Sequence, residues 1–394
     1  FPAVGTFNHS YHGKNSNENN FNGSWNQIFG GSGINNGNCV EQTSDNGYIL
    51  VIETTKFSDG DFDIWLIKTD ENGNIKWENT FGGNEDEWPL FVRKTTDNGY
   101  IISGMTKSYG IGENDAWLIK TDAIGNEEWN RTYGGTEFDH GYNVFETTDG
   151  YIIGGGTKSF GAGDFDYWVI KTDKNGNEIW NKTYGGSGAD EGRRMRQTSD
   201  GGYIISGFIW PTKLFQKGCC YLVKIDEDGN LEWDNHIYYG NRHGVLRTIQ
   251  QTRDGGYILA GEANVITLFN LIYLGGGDIW LVKTDINGDI EWEKTIGSIF
   301  FEDGAMDVQI TVDGGYLVAG FTKGIGGVIK QSPIEPPFSK AWLVKTDADG
   351  NIEWNEKVSR GICYYCETTD DGGYIVTGGE RPHADGDAFL IKID

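Results

Sequence analysis

This sequence is poor in cysteine, proline, histidine and positive charge, and it has no long apolar run. Five cysteines (Cys39, Cys219, Cys220, Cys363 and Cys366) in 394 residues exclude a disulfide-built scaffold, and their odd number excludes complete internal pairing. Lys and Arg number 32 against 58 Asp and Glu, a net charge of −26. A nucleic-acid-coating protein needs a basic footprint, so that class is excluded. Acidity of this size keeps a chain soluble and suits a surface that meets cations. No stretch of about 18 apolar residues is present to cross a membrane as a helix. The six histidines stand in no Ser/His/Asp order with motif spacing, and no glycine-rich loop opens a helix. No signal peptide is visible. The first residue is Phe1 rather than Met, which predicts a processed form whose leader has been removed.

What the chain has in quantity is glycine (60 residues) and aromatic side chains, the profile of short strands joined by tight turns. The organising stretch is Asp61–Gly83, DFDIWLIKTDENGNIKWENTFGG. Trp65–Lys68 reads as one strand and Asn74–Trp77 as the next, with Asp70-Glu71-Asn72-Gly73 closing a hairpin between them. The same text returns along the chain. The Trp closing each unit falls at Trp25, Trp77, Trp129, Trp180, Trp233, Trp292 and Trp354, at intervals of 52, 52, 51, 53, 59 and 62 residues. A Gly-Tyr turn marker falls at Tyr48, Tyr100, Tyr151, Tyr203, Tyr257, Tyr316 and Tyr374. A third marker, an aromatic followed by an aliphatic pair and Lys, falls at Trp65, Trp117, Trp168, Tyr221, Trp280, Trp342 and Phe389.

Each unit reads as four strands. In the second they are Phe91–Thr95, Tyr100–Ser103, Ala116–Lys120 and Glu127–Thr132. Four short strands per unit and no 3.6-residue periodicity predict an all-β, seven-bladed β-propeller with almost no helix. The chain stops at Leu390–Asp394, one strand short, and begins with the missing piece, Gly23–Gly31. The N-terminal strand is therefore expected to complete the last blade and close the ring, leaving no open edge. Residues 1–22, polar and Asn-rich, are expected to form an arm ahead of the propeller at 23–394.

As text, the units resemble the DGGYIIAG…WLIKTDxxGNIxWxKTYGG repeats of secreted archaeal and bacterial propeller proteins, over about Gly23–Asp394. Asp70, Gly73 and Trp77 are also similar to the tryptophan-docking repeat of pyrroloquinoline-quinone enzymes, with one residue fewer between Asp and Gly. The resemblance implies the blade design and a secreted or cell-surface location. It does not imply a chemistry. The sequons at Asn8, Asn22, Asn130 and Asn181 are candidate glycosylation sites of an exported chain.

The loops before the first strand and between the second and third strands share the face around the channel mouth, the default ligand site. Three kinds of residue gather there. Acidic segments include Glu85–Glu87, Asp139, Asp190, Glu191, Glu302 and Asp303, with Asp59, Asp61, Asp63, Asp164, Asp166, Asp385 and Asp387 beside them. Aspartates two apart can offer oxygens to calcium, which makes Asp61, Asp63, Asp164, Asp166, Asp385 and Asp387 candidate ligands, although no complete calcium motif is present. The competing reading is turn capping. Basic residues Arg193, Arg194, Arg196, Arg242, His243 and Arg247 are candidates for a carboxylate or phosphate ligand, with pairing to Asp190 and Glu191 as the alternative. Trp88 and Trp210 are candidates for stacking on sugars. Three long apolar loops, Phe208–Gly218, Val265–Leu274 and Gly324–Ser339, carry Phe215, Leu268, Phe269, Leu271, Tyr273 and Phe338, which suit a protein partner.

The cysteines leave alternatives open. A link from Cys39 to Cys363 or Cys366 would lock the ring, and Cys219-Cys220 is a vicinal pair of the kind found beside the cofactor in some quinone enzymes. The expected function is a secreted or cell-surface binding or structural module for a protein partner, self-assembling through the arm, or for a glycan. The alternatives are a polysaccharide hydrolase or lyase using carboxylates at the mouth, and a quinone- or metal-dependent oxidoreductase.

Overall fold

The computed structural model describes residues 24–57, 61–210, 219–239, 243–265, 267–268, 272–273, 277–297, 302–323, 339–380 and 386–394. All regular structure among them is strand: seven antiparallel four-stranded sheets form the blades of a β-propeller, and one two-stranded hairpin stands apart from them. Blade 1 is Asn35–Gln42, Tyr48–Thr54, Asp63–Thr69 and Ile75–Phe81, paired in that order. Blades 2 to 6 repeat it, with first strands Glu87–Lys94, Asp139–Glu146, Ala189–Gln197, His243–Gln251 and Glu302–Ile310. Blade 7 holds Ile362–Thr368, Tyr374–Gly379 and Ala388–Ile393, and its fourth strand is Trp25–Phe29 from the other end of the chain. That strand runs antiparallel to Ala388–Ile393, from Trp25 opposite Lys392 to Phe29 opposite Ala388. The closure expected from the two incomplete ends is what the ladder shows. The arm at 1–22 lies outside the described residues.

The three sequence markers hold the blades together. The Gly of each outer turn has a positive φ (78° at Gly73), which glycine adopts without strain. It also lacks a side chain where the preceding blade's Trp docks. A Cβ on Gly73 would stand 2.6 Å from the Trp25 ring, and Trp77 fills the same place over Gly125. The same Trp residues lie edge-on or tilted against the marker Tyr of the next blade, 5.7 Å for Trp25–Tyr48 and 5.8 Å for Trp77–Tyr100. The third-strand aromatics are buried, and six of them donate to a side chain on the fourth strand, as Trp65 Nε1 does to Glu78 at 3.0 Å.

The marker Lys is buried in all seven blades and is ion-paired to the turn Asp before the marker Tyr, from Lys68–Asp45 at 2.9 Å to Lys392–Asp371 at 3.0 Å. Hydrogen bonds from that Lys and a turn Thr hold Asp97, Asp200, Asp254, Asp313 and Asp371 down at about 2, against the opposing effect of burial.

First strands start earlier than the hydrophobic pattern suggests. In blade 2 the strand begins at Glu87, not Phe91. Pro89 and an irregular register beside it mask the start, because a strand exposed on one edge tolerates both.

Candidate functional site

The first strands are innermost. Contacts between blades that are not neighbours are made there: Phe91 of blade 2 lies 5.8 Å from Tyr365 of blade 7, and Arg194 of blade 4 reaches Asp307 of blade 6. Every first strand carries an extra residue at the same place, where its register against the second strand slips. The extra residues are Asn38, Leu90, Tyr142, Arg193, Arg247, Met306 and Tyr364, and all seven are half-buried. A bulge re-aims its side chain. Seven in one ring line the upper channel with five kinds of side chain.

The next residue of each strand forms a closed layer: Cys39, Phe91, Asn143, Arg194, Thr248, Asp307 and Tyr365. Six are fully buried and the Arg194 side chain is 12% exposed. Asp307 ties the layer. Its Oδ1 accepts from Arg194 Nη2 at 3.4 Å and Thr248 Oγ1 at 2.8 Å, and its Oδ2 from the Cys366 amide at 3.3 Å and Gln309 Nε2 at 3.4 Å. The rings of Phe91 and Tyr365 fill the rest, with the Arg194 guanidinium 5.9 and 5.4 Å from their centroids. This septum blocks the channel. Below it, Arg93 donates to Glu367 at 3.1 Å and to the Tyr365 hydroxyl at 3.1 Å, and pairs with Glu41 at 3.6 Å.

Above the septum, on the mouth side, stand charged pairs and rings. Arg193 pairs with Glu191 at 3.0 Å and donates to the Tyr142 hydroxyl at 2.5 Å, and its guanidinium lies between the rings of Tyr142 and Phe208, 5.4 and 5.3 Å from their centroids. Arg247 grips Glu262 through Nη2 at 3.0 Å and Nε at 3.2 Å. Burial pushes the Glu191 carboxyl up, against the pull of Arg193 and Arg247. His140 packs 4.6 Å from Tyr142 among Phe138 and Phe165, and burial pushes it down to about 3, so it is neutral at pH 7. Trp88 lies against Phe62, with Lys107 4.9 Å above its ring.

The structure thus divides the predicted basic cluster. Arg193 and Arg247 stand above the septum, whereas Arg194 and Arg196 belong to the septum and the channel below it. Asp190, offered as a partner for the arginines, instead accepts the Gly186 amide at 2.5 Å. Arg242, Phe215, Phe269, Leu271, Phe338 and Asp385 lie outside the described residues, as do the side chains of His243, Trp210, Leu268 and Tyr273. The backbones of Leu268 and Tyr273 belong to a small hairpin, Thr267–Leu268 with Ile272–Tyr273. Tyr142, Glu262, Asp307 and Tyr365 escaped the sequence reading. Aligning the seven first strands on their marker Tyr residues would have exposed them as the positions where the repeat stops repeating.

The acidic rim is mostly joinery. Glu87 accepts the Gly83 amide at 2.7 Å and Asp139 the Gly135 amide at 2.8 Å. Asp166 accepts the Ala162 amide at 2.7 Å and Asp387 the Gly31 amide at 2.6 Å. Asp164 pairs with Lys158 at 3.1 Å. Asp61 and Asp63 lie close enough to repel, together with Glu87. Among the described residues no three His, Cys, Asp or Glu side chains gather as a metal ion requires. The first and third strands instead bring carboxylates together in pairs. Asp115 Oδ1 and Asp139 Oδ2 both lie within 2.7 Å of the point a Cβ on Gly134 would occupy. Burial and Asp139 push Asp115 up to about 6, and burial and Glu87 do the same to Asp63.

These shifts act on stability in opposite directions. A raised carboxyl binds its proton more tightly in the folded state, so stability rises as pH falls from about 6 towards 4, by about 1.4 kcal/mol per pKa unit. The Lys-paired aspartates act oppositely, and their contribution is lost as pH falls from about 4 through 2. His140, held down by burial, opposes the carboxyls over the same range, because the unfolded imidazole takes up a proton below about 6.5. The difference in thermal midpoint between the parent and Asp115→Asn isolates the carboxyl, and it is expected to shift in the parent's favour as pH falls from about 6 towards 4. A difference that stays constant across that range contradicts this.

All five cysteines are free and buried. Neither the Cys39 link nor the Cys219-Cys220 disulfide is formed. Cys39 Sγ donates to the Val92 carbonyl, and Cys220 Sγ accepts the Leu246 amide, so these thiols are spent on packing between blades. Asn130 and Asn181 accept from the indoles of Trp117 and Trp168 at 3.3 and 3.2 Å. Their sequons therefore coincide with a blade position that needs an acceptor followed two residues later by Thr. Asn8 and Asn22 lie outside the described residues.

No protein-family model and no curated protein matches the chain. Among solved structures, a Dos1 propeller is similar over 94% of this chain and 93% of its own, with 10% identity and a TM-score of 0.47. A member of the DUF4221 family from Bacteroides vulgatus is similar over 95% and 96%, with 12% identity and a TM-score of 0.46. The architecture rests on the strand ladders themselves, and the site on this chain's own residues.

Proposed function

We propose that this propeller is a binding module that takes the end of a saccharide chain into the channel mouth above the septum. The observation that carries the reading is the ring of seven bulge residues. The blade frame repeats almost unchanged, while these half-buried positions hold Asn38, Leu90, Tyr142, Arg193, Arg247, Met306 and Tyr364. Frame residues are dictated by blade packing. Polar and aromatic groups aimed into a mouth that the septum closes answer to something else. The two Arg–Glu pairs offer planar donors and acceptors suited to vicinal hydroxyls, and Tyr142 and Trp88 offer faces for stacking. The septum limits the ligand to a chain end, because a polymer cannot thread through. The mouth carboxylates that a hydrolase would use are engaged in turns. The resemblance of the repeats to secreted propellers supports a place outside the cell.

The test is calorimetric titration with a panel of neutral and amino-sugar oligosaccharides. An Arg193→Ala/Arg247→Ala double variant, measured where it remains folded, is expected to bind at least about tenfold more weakly, a change of about 1.4 kcal/mol. Failure of every saccharide to bind, or equal binding by the double variant, refutes the reading. Release of reducing ends would move the protein to the hydrolases.

A further inference from the structure

The junction between blades 2 and 3 buries two acids against each other under a mouth loop. Asp115 begins the third strand of blade 2 and is 2% exposed, and Asp139 begins the first strand of blade 3 and is fully buried. Asp115 Oδ1 and Asp139 Oδ2 lie 2.0 and 2.7 Å from the point a Cβ on Gly134 would occupy, so the two oxygens face each other across a glycine. Asp139 is held as an anion. Its Oδ1 accepts from the Thr157 hydroxyl and from the Ser159 amide at 3.3 Å, and its Oδ2 from the Ser159 hydroxyl at 2.6 Å and the Gly135 amide at 2.8 Å. Four donors fill the acceptor positions of a carboxylate. Among the described residues Asp115 accepts one bond, from the Ile111 amide to Oδ2 at 2.8 Å. That oxygen is tucked beneath the loop: a Cβ on Gly110, whose φ is 98°, would stand 2.1 Å from it. Asp115 Oδ1 is left facing Asp139.

The ring-closing junction shows what such a site requires. There Asn35 stands in the place of Asp139, its Oδ1 accepting from the Thr54 hydroxyl as Asp139 accepts from Thr157. Asp387 stands in the place of Asp115. Asp387 Oδ1 and Asn35 Nδ2 lie 2.1 and 2.7 Å from the Cβ point of Gly30. A donor-bearing amide therefore meets the carboxylate where blades 2 and 3 bring two acids together. A protonated carboxyl is the acid's equivalent of that amide. Among the described residues no cation takes the proton's part. Lys107, on the loop above, is paired with Asp86 at 2.9 Å, and Lys158, on the next loop, with Asp164 at 3.1 Å. Glu113 and Glu137 are exposed on the flanking loops. The hydroxyls of Tyr109 and Tyr133 donate away from the pair, to the Gly82 and Gly176 carbonyls. His140 is next in the chain, and burial keeps it neutral. Burial, with the charge of Asp139, pushes Asp115 up to about 6.

We propose that a proton shared between Asp115 Oδ1 and Asp139 Oδ2 latches the mouth loop 107–114, and that its loss opens the loop. While the proton is bound, Asp115 donates to Asp139 and holds the Ile111 amide through Oδ2. Once it leaves, two carboxylates face each other in a buried site. Asp115, with fewer bonds to lose, turns out to water and gives up the amide. A proton bound more tightly in the closed form is lost as pH rises, so the latch is closed in acid and open above neutrality. The loop presents Tyr109 and Ile111, 43% and 68% exposed. The device does not depend on the saccharide reading.

The test is amide hydrogen exchange of the full chain, read as protection factors corrected for the intrinsic rate, between about pH 5 and about pH 8. Ile111 should lose about tenfold or more in protection over that range, since one unit of pKa is a factor of ten. Gly31, held by Asp387 at 2.6 Å beside Asn35, should keep its protection. Asp115→Asn and Asp139→Asn each leave one acid and one amide, as at the ring closure, and should hold Ile111 independently of pH. Either variant serves if the other fails to fold. Neutron diffraction from crystals near pH 5 should place a deuteron between the two oxygens. Constant protection of Ile111 in the parent, an equal loss in a folded variant, or no deuteron between the oxygens overturns the proposal.

Discussion

Asp307→Ala should be the most destabilising single substitution in the channel, at about 3–5 kcal/mol, because it leaves two buried guanidiniums with no carboxylate. The same substitution strips Thr248, the Cys366 amide and Gln309 of their acceptor. Asp307→Asn keeps the shape and part of the hydrogen bonding, so it should cost less while still losing the charge. Urea unfolding of both variants measures the difference through the midpoint at constant slope. Equal midpoints for Asp307→Ala and the parent would mean that the septum is held by Phe91 and Tyr365 alone. The prediction is large because Asp307 joins four blades at once. Its own lies in blade 6, and its partners in blades 4, 5 and 7.

The second large effect concerns closure. A chain starting at Gly30 loses the strand Trp25–Phe29, and with it the ladder to Ala388–Ile393 and the seating of Trp25 on Tyr48 and Gly73. The Trp contact alone is of the order of 3 kcal/mol, judged by truncations of buried Trp. The uncovered edge of Ala388–Ile393 presents unpaired amides and carbonyls to other molecules. The truncated chain should unfold at a lower urea midpoint and elute as soluble oligomers in light scattering. A synthetic peptide spanning 24–31 should restore the monomer. A truncated chain that remains monomeric with an unchanged midpoint would show that the other six blades hold the ring without a closing strand.

Much of this was legible because a repeat prints its structural requirements seven times. Asp70, Gly73 and Trp77 recur because a turn must form, a Cβ must be absent and a neighbour's ring must seat there. Lys68 and Asp45 recur because a cation buried beside the marker Tyr needs its anion. The missing strand at one end and the spare strand at the other fixed the closure. Each of these is a local or nearest-neighbour demand, so periodic spacing reveals it.

The site was legible only in part, for the opposite reason. Arg193 and Arg194 are adjacent in the chain, yet one pairs with Glu191 above the septum and the other with Asp307 in it. The bulge between Gly192 and Arg194 separates them, and one inserted residue turns each side chain to a different level of the channel. Asp307 is one of 58 acidic residues in the chain, and only the ring geometry sets it opposite Arg194, 113 residues away. The sequence by itself determined the blade, the blade number and the closing strand, since each depends on contacts within a blade or with the next one. Only the tertiary structure decided which charges meet in the channel and that a septum closes it. Those contacts run across the axis between blades far apart in the chain, where no repeat spacing constrains them.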